Sequence, residues 1–396
     1  LSQLGSCTVM HFSIDMLIVD WTSVWLMLSR FEEYYFGDNT AKHELTITFR
    51  DYMEACKNIS DTQMYKKAEK YWKERIEDLP PAPELPVVGK GGAEFKRFEL
   101  RDKPLIDKYF EQHHYEASDN CFTTLFMWQD PYGIRWAEEN GVLYIQGGGK
   151  REPFLLPPFA GKDAKFLDGL LRAKEWFVEN KLPFRFKGVS KDVKERMEDL
   201  CPGRYAFTPD RDNYEYIYKS EDLINLSGKK FRQKKNHLNQ FRMQYSNYEY
   251  VPITEDIIPL CRETAASWVE THHEEGIEDE LVAINLLFDN WDVLGLKGGA
   301  IKLFGRVEAF SIGELLNDRI ALIHIEKANP DIRGLYQAIN NEFIRHEFSE
   351  VEFINREEDM GLPGLRQAKE SYNPDHFAEK YDAVYANEAD NATGGK

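Results

Sequence analysis

The amino-acid sequence predicts an α/β fold, because segments typical of strands alternate with segments typical of amphipathic helices. The predicted strands include YEYIYK, GAIKLFG and RIALIHIEKA, and the clearest helix is GLYQAINNEFIRHEF. The chain has 396 residues, of which 42% are hydrophobic. It is therefore long enough for two or three domains, each with its own core.

Domain boundaries are predicted from shifts in composition. The segment at residues 79–95, LPPAPELPVVGKGGAEF, has four prolines followed by a glycine-rich step and is typical of an extended linker. The chain divides again near Tyr248. We predict an N-terminal segment at 1–90, a first α/β unit at 91–247, a second at 248–386 and a disordered polar tail at 387–396.

Composition also limits the function classes. The formal net charge of −18 disfavours binding of nucleic acid over the whole surface, although a local basic patch is compatible with it. The five cysteines are scattered without CxxC spacing, so we expect no disulfides, no metal site and a reducing, cytoplasmic location. The longest apolar run, MLIVDWTSVWLML, contains Asp20 and is too short to cross a bilayer.

The first candidate site is a strand, loop and helix at residues 321–343, ALIHIEKANPDIRGLYQAINNEF. The spacing of Leu335, Ile339 and Phe343 predicts that one stripe of the helix is buried. The free N–H groups at the start of such a helix suit a phosphate or a developing oxyanion, and Arg333 can add donors to the same anion. The alternative is a helix start that only packs a core.

The second candidate is a run of polar and charged residues that begins at the end of the strand VEFIN. The ends of strands are where α/β folds commonly bind ligands. Its members are Asn355, Arg356, Glu357, Glu358 and Asp359. Such a run can bind an amine nucleophile or act as its base, or it can be a solvated loop before a helix. Lys369 and Tyr372, one helical step apart, can face the same site.

The third candidate is the only basic stretch of this acidic chain, GKKFRQKKNHLNQFRMQY at residues 228–245. Its apolar residues form one helical stripe, and Lys230, Lys234 and Lys235 are a possible patch for tRNA or another anion. The alternative is a surface helix that connects the two units. His237 has no partner at metal-ligand spacing.

The N-terminal stretch HFSIDMLIVDWTSVW contains a DxxxxDxxS motif at Asp15, Asp20 and Ser23, and FRDY and a proline-rich segment follow it. With this pattern, residues 1–90 resemble a fragment of the heterocyclization domain, a condensation-type domain of nonribosomal peptide synthetases. The fragment lacks most of the two lobes that enclose the site in that family. We therefore expect a remnant in which the acids have structural roles, such as capping a helix.

Four further segments, FTTLFMWQDPYGIRW, YEYIYKSEDLINLSGKKFRQKKNHLNQF, HIEKANPDIRGLYQAINNEF and INREEDMGLPGLRQAKESYNP, carry a second resemblance. Through them residues 94–386 resemble the family of the C-terminal domain of phosphatidylglycerol lysyltransferases. The resemblance implies tandem GNAT-like acyltransferase units related to the Fem-type aminoacyltransferases. It also implies aminoacyl-tRNA or acyl-coenzyme A as donor substrate and no tightly bound cofactor. The loop departs from the Q/R-x-x-G-x-G/A pattern usual for coenzyme A, which favours aminoacyl-tRNA.

This resemblance and the three candidate sites together give a predicted set of site residues. The predicted catalytic residues are Glu326, Asn355, Glu357, Asp359, Lys369 and Tyr372. The predicted donor-binding and substrate-binding residues are Lys327, Asn329, Arg333, Gly334, Tyr336, Gln337, Asn340, Arg356 and Arg366.

Three functions follow as hypotheses. The leading one is an acyltransferase, of the aminoacyltransferase kind, that acts on an amine or hydroxyl of a small molecule, a peptide or a lipid headgroup. Because no membrane domain is visible, we expect a membrane lipid to be a poorer acceptor. The alternatives are a non-catalytic binding module on the same fold and a fragment of a peptide synthetase. The sequence leaves the oligomeric state open.

Overall fold

The computed structural model describes residues 2–4, 7–9, 50–51, 54, 61–73, 94–113, 115–149, 151–271 and 276–386. The chain divides into two compact units, residues 1–87 and 88–396. In the first unit, strand β1 (Ser2–Leu4) pairs antiparallel with β2 (Cys7–Val9), and α1 spans Gln63–Lys73. The motif residues Asp15, Asp20 and Ser23 and the tail at 387–396 lie outside the described residues.

The second unit contains thirteen strands and eleven α-helices among its described residues. The strands are β3 (Arg135–Glu139), β4 (Val142–Gly147), β5 (Phe154–Leu155), β6 (Phe186–Ser190), β7 (Tyr205–Pro209), β8 (Glu215–Lys219), β9 (Glu249–Pro252), β10 (Lys297–Leu303), β11 (Arg306–Leu315), β12 (Ile320–Ala328), β13 (Phe353–Glu358), β14 (His376–Ala378) and β15 (Lys380–Tyr385). The helices are α2 (Lys103–Phe110), α3 (Phe122–Met127), α4 (Asp163–Glu179), α5 (Lys191–Leu200), α6 (Ser220–Asn225), α7 (Arg232–Gln244), α8 (Ile258–Thr271), α9 (Ile277–Asp289), α10 (Trp291–Leu294), α11 (Leu335–Glu347) and α12 (Pro363–Glu370).

Six strands form the first sheet, in the order β3-β4-β5-β6-β15-β7. Helix α4 covers this sheet because Phe166, Leu170 and Phe177 recur at helical spacing and are buried against it. The last strand, β15, pairs antiparallel with both β6 and β7 and therefore lies inside the sheet.

Seven strands form the second sheet, in the order β14-β8-β13-β12-β11-β10-β9. Its pairs are antiparallel except for β12 and β13, which are parallel because α11 connects them as a crossover. The predicted stripe of α11, Leu335, Ile339 and Phe343, is fully buried in the core of this sheet. Leu238 and Phe241 of α7 enter the same core.

The two sheets exchange strands across the boundary predicted at residues 247 and 248. Strand β8 precedes that boundary but lies in the second sheet, whereas β15 follows it but lies in the first. Composition could not reveal this exchange, because strand pairing is a long-range property. The predicted α/β class is confirmed. Within the described part of the chain, no helix is both long and apolar enough to span a membrane.

Candidate functional site

The crossover from β12 through α11 to β13 brings together several residues of the predicted set. Arg356, from β13, donates from Nη2 to Glu326 Oε1 of β12 at 2.8 Å. Asn340, from α11, donates from Nδ2 to the other Glu326 oxygen, also at 2.8 Å. With Tyr372 and Lys234, these three residues form what we call the arginine cluster.

Aromatic rings and a lysine enclose the Arg356 side chain. Its guanidinium carbon lies 4.9 Å from the ring centre of Tyr372 and 5.7 Å from that of Tyr218. Lys234 Nζ, from α7, lies 4.2 Å from the Tyr372 ring centre. Burial raises the pKa of the Tyr372 hydroxyl, and the Gln337 side chain bonds to it, so Tyr372 is a neutral member of the cluster.

Two cations of the arginine cluster are incompletely paired among the described residues. Arg356 Nη1 is buried and makes no hydrogen bond to any residue that the structure describes. Lys234 is half-buried, and no carboxylate of the described chain lies within ion-pair distance of it. Burial, together with the nearby charge of Arg356, lowers the pKa of Lys234 to about 8. The cluster therefore contains one buried donor without a hydrogen bond, Arg356 Nη1, and one cation without a carboxylate partner, Lys234, among the described residues.

Lys369 holds the backbone of Arg356 in place through hydrogen bonds. Its buried ammonium donates to the Arg356 carbonyl oxygen at 2.6 Å and to the carbonyl of Glu358, and its own carbonyl accepts from the Tyr218 hydroxyl at 2.8 Å. Burial lowers the pKa of Lys369. Because its ammonium is already engaged by two backbone carbonyls, a positioning role fits Lys369 better than a catalytic one.

The loop before α11 approaches α7 closely. Gly334 is the N-cap of α11, with φ of +85°, and a Cβ at this position would lie 2.5 Å from the carbonyl oxygen of His237. Arg333 beside it is exposed. Burial, followed by the charges of Arg333 and Lys234, lowers the pKa of His237. Arg333, Lys234 and His237 therefore lie near the start of α11, the end of the helix that favours negative charge.

Other residues predicted for donor binding make contacts within the protein, in the loop before α11 or close to it. Asn329 donates to Glu308 Oε2 at 2.9 Å and accepts the N–H of Asp331, which fixes the turn. Lys327 pairs with Glu280 at 2.7 Å and lies 5.0 Å from the Trp268 ring centre. Tyr336 packs at the edge of the second-sheet core.

Asp359 and Arg366 form a separate ion-pair network. Arg366 binds Asp359 through two nitrogens, at 2.9 and 2.7 Å, and Tyr216 donates its hydroxyl at 2.6 Å. Arg211 adds a bond of 3.2 Å. Burial alone would raise the pKa of Asp359, but the bonds from Arg366 and Tyr216 hold it well below its usual range. A carboxylate held in this way is a poor proton acceptor, so we assign Asp359 a structural role.

Asn355 faces away from Arg356, as neighbouring residues of a strand do. Its side chain donates to the Glu116 carbonyl at 2.6 Å and to the buried Glu215 carboxylate. Lys380, also buried, pairs with Glu215 and with Asp119 at 2.7 Å. This network connects the two sheets, and it makes Asn355 a structural residue.

The three lysines of the predicted basic patch lie in different environments. Lys230 pairs with Asp222 at 2.9 Å, and Lys234 points into the arginine cluster. Lys235 lines a cavity of about 360 Å³ beside the start of α7. The other residues that line it are Leu226, Gly228, Lys229, Arg232, Asn236 and Asn239.

Glu357 belongs to a buried group that the sequence reasoning missed. Its Oε1 lies 3.5 Å from Nδ1 of His324, whose Nε2 lies 2.8 Å from Glu314 Oε1. Cys121 Sγ lies 3.1 Å from the same Glu314 oxygen. Glu314 and His324 interrupt strands that are otherwise largely apolar, and this interruption was the signal present in the sequence.

Part of the sequence matches much larger peptide synthetases. A stretch of 83 residues, 21% of the chain, is 33% identical to bacitracin synthase 1 of Bacillus licheniformis and covers 2% of that protein. The match supports the predicted resemblance to a synthetase fragment, and it is short.

Longer similarities concern the second unit. A conserved protein of unknown function from Bacteroides thetaiotaomicron is 34% identical, with a TM-score of 0.69, over 74% of this chain and 99% of that one. An uncharacterized protein of Mycoplasmoides gallisepticum is 25% identical over 168 residues, which are 42% of this chain and 54% of that protein. The chain thus matches about half the length of this relative.

The structure of L-PGS from Bacillus licheniformis shares the fold, with a TM-score of 0.52 and 14% identity over 72% of this chain and 92% of that one. The predicted tandem GNAT-like α/β architecture is confirmed. Residues 110–384 match the family described as phosphatidylglycerol lysyltransferase, C-terminal, and the chain belongs to that family.

Proposed function

We propose that this chain transfers an aminoacyl group from an aminoacyl-tRNA to an amine or hydroxyl acceptor. Two observations on the arginine cluster carry the proposal. Arg356 Nη1 is buried without a hydrogen bond among the described residues, and the ammonium of Lys234 lies beside it over the Tyr372 ring. A buried donor such as Arg356 Nη1 is costly to leave without a hydrogen bond, which a ligand would supply. Membership of the lysyltransferase family supports lysine as the first aminoacyl group to test.

In the proposed reaction, the acceptor N–H or O–H attacks the ester carbonyl that joins the amino acid to the tRNA ribose. Arg356 Nη1 donates to the carbonyl oxygen and stabilises its negative charge as the tetrahedral intermediate forms. Lys234 takes the proton from the attacking group. The ester C–O bond then breaks, a new C–N or C–O bond remains, and the ribose hydroxyl leaves with a proton.

The rest of the cluster prepares Arg356 for this role. Glu326 fixes one edge of the guanidinium through Nη2, which leaves Nη1 directed elsewhere. Asn340 in turn fixes Glu326, and the Tyr372 ring supports the guanidinium face. Such preorganisation gives a donor its catalytic effect, because no reorganisation is needed during the reaction.

Binding of the tRNA phosphates requires positively charged side chains, although the protein as a whole is acidic. Arg333 is exposed beside the start of α11, and Lys229, Arg232 and Lys235 line the cavity at the start of α7. We assign these two surfaces to the tRNA backbone, and we therefore expect binding to weaken steeply as salt concentration rises.

A direct test measures loss of the labelled amino acid from lysyl-tRNA, and then from the other charged tRNAs, in the presence of the purified chain. The acceptor arms are vesicles that contain phosphatidylglycerol and a mixture of free amines, and a parallel donor arm uses acyl-coenzyme A. We expect acceptor-dependent loss of label from the tRNA. No turnover of any charged tRNA would contradict the proposal. Turnover of acyl-coenzyme A alone would show that the donor is acyl-coenzyme A and not aminoacyl-tRNA.

The Arg356→Lys variant links this activity to the cluster. Lysine keeps the charge beside Glu326 but lacks the planar fork of donors, so we expect a rate loss of about 100-fold, the effect of removing one oxyanion donor. Arg345→Lys is the matched control, because Arg345 lies in the last turn of α11 and bonds the Ile224 carbonyl and Asn341. Equal rates in both variants would remove Arg356 from the mechanism.

A further inference from the structure

A second polar cluster lies in the interior and takes no part in the proposed reaction. It contains Cys121, Glu314 and His324, all of which are buried. Their potential ligand atoms, one sulfur, one carboxylate oxygen and one ring nitrogen, all lie within 4.8 Å of one another. In the part of the chain that the structure describes, this is the one such group of three His, Cys, Asp or Glu residues.

The fold assembles this cluster by a specific irregularity. Strands β11 and β12 pair Ile312 with Ile325 and then Gly313 with Ile323, so His324 is an extra residue with no partner across the ladder. A bulge of this kind redirects a side chain. Gly313 is needed beside it, because a Cβ there would lie 2.4 Å from the Leu322 carbonyl oxygen. Cys121 comes from a segment nearly two hundred positions away in sequence.

A fourth residue orients the histidine. Glu357 Oε1 lies 3.5 Å from His324 Nδ1, and both atoms are buried without a hydrogen bond among the described residues. The opposite ring nitrogen, Nε2, points at Glu314. A carboxylate behind a histidine, with the other nitrogen directed at the ligand group, is the usual arrangement around a bound metal ion.

We propose that this cluster binds a zinc ion through the Cys121 thiolate, one Glu314 oxygen and His324 Nε2. Sulfur, nitrogen and oxygen together are ligands typical of zinc, whereas magnesium and calcium take oxygen ligands. The Cys121 thiolate and the Glu314 carboxylate together balance the charge of the ion. Cys121 Sγ and His324 Nε2 now lie 3.1 and 2.8 Å from Glu314 Oε1. Zinc–ligand distances of about 2.0–2.3 Å require each of these two atoms to move away from that oxygen by about half an ångström.

The ion would join the start of α3 to the bulged pair β11 and β12. Its proposed role is structural, because all three ligands are buried and the arginine cluster reacts without it. A water molecule would complete the four-coordinate shell of the zinc. Loss of the ion should therefore lower the stability of the chain. This proposal is independent of the proposed transfer reaction, and its test needs no donor or acceptor.

The test incubates the purified chain with zinc, removes unbound metal by gel filtration and measures metal per chain by mass spectrometry. We expect one zinc per wild-type chain, and less than a tenth of that in Cys121→Ser and His324→Gln. Cys261→Ser is the matched control, because Cys261 is also a buried free thiol but has no charged group among the causes of its raised pKa. Circular dichroism establishes that each variant is folded.

Cobalt gives a second, spectroscopic measurement. A thiolate-to-cobalt charge-transfer band should appear in the wild type and in Cys261→Ser and be absent from Cys121→Ser. Glu357→Gln keeps all three ligands and should weaken metal binding by about 10- to 100-fold, as loss of an outer-shell partner does. Absence of retained zinc in the wild type, or equal retention in Cys121→Ser and the wild type, would overturn the proposal.

Discussion

At the scale of single residues, the structure suggests a second role for Lys234 beside the one that the sequence predicted. The sequence predicted a cation for an anionic ligand, whereas the position over Tyr372 and the lowered pKa also suit a proton acceptor. A proton acceptor must be neutral before it acts. Its active fraction therefore increases as pH rises through the pKa, which for Lys234 is about 8.

The Lys234→Arg variant distinguishes these roles. Arginine keeps the positive charge but does not deprotonate in this range, so we expect transfer to fall by about 100-fold or more and the rise in rate near pH 8 to disappear. The measurement is the rate of transfer against pH in the wild type and the variant. Lys235→Arg, on the same helix but in the outer cavity, should keep the wild-type profile. Retention of activity in Lys234→Arg would identify an anion-binding role instead.

Asp359 supports a prediction about stability. Its carboxylate is fully buried and receives bonds from Arg366, Arg211 and Tyr216, so Asp359→Asn leaves cations without their partner. We expect a loss of about 3 kcal/mol in the free energy of unfolding, measured with denaturant at neutral pH. Glu370→Gln is the control. It removes a half-exposed partner of Arg211, and its effect should stay below about 1 kcal/mol.

The same carboxylate makes stability depend on pH. The folded-state pKa of Asp359 is depressed, so in acid the unfolded chain binds the proton first. The stabilisation is complete above the unfolded pKa of about 3.9 and is lost as pH falls through the folded pKa. We therefore expect the unfolding free energy of the wild type to fall more steeply below about pH 4 than that of Asp359→Asn. Parallel pH profiles would contradict this assignment.

At the scale of elements, the position of the loop before α11 depends on Gly334. Alanine there meets two penalties, a positive φ and contact with the His237 carbonyl of α7, whereas Gly305→Ala meets only the first. Gly305 has φ of +82°, and a Cβ added to it would have no atom of the described chain within 4 Å. The difference between the two variants therefore measures how closely the loop and α7 must approach.

We expect Gly305→Ala to cost about 1 kcal/mol of unfolding free energy and to leave transfer unchanged. Gly334→Ala should cost about 1–3 kcal/mol more and should also raise the KM for the charged tRNA, because the loop carries Arg333. Denaturant unfolding and steady-state kinetics measure the two effects. Equal costs in both variants would mean that the loop can move away from α7 without penalty.

At the scale of the whole molecule, the two sheets are joined by exchanged strands and by one buried ion-pair network. Lys380, on β15 of the first sheet, pairs with Glu215, on β8 of the second, and with Asp119. Burial alone would lower the pKa of Lys380, but these carboxylates raise it well above its usual value. The network therefore makes the sheets depend on one another.

Replacing this lysine tests that dependence. Lys380→Met leaves Glu215 and Asp119 without their cation in the interior, and we expect a loss of about 3–5 kcal/mol in the free energy of unfolding. Lys187→Met removes a partly exposed lysine that lies 4.0 Å from Asp382 and should cost less than about 1 kcal/mol. Chemical denaturation followed by both tryptophan fluorescence and circular dichroism measures the two variants. A loss below about 1 kcal/mol in Lys380→Met would show that the sheets do not rely on the pair.

The sequence by itself determined the α/β class, the family and the buried faces of α7 and α11. These properties depend on local periodicity and on motifs such as INREEDMG, which a single chain displays directly. It also predicted Glu326, Arg356, Asn340 and Tyr372 as site residues, because they stand in those motifs. The structure brings these four together.

Only the tertiary structure decided how neighbouring residues of one motif divide their roles. Asn355, Arg356 and Glu357 are consecutive, yet they reach the sheet junction, the arginine cluster and His324 respectively. The exchange of β8 and β15 likewise has no local signal. The physical reason is that side-chain direction along a strand, bulges and strand pairing are set by contacts between residues far apart in the chain, and periodicity records only near neighbours.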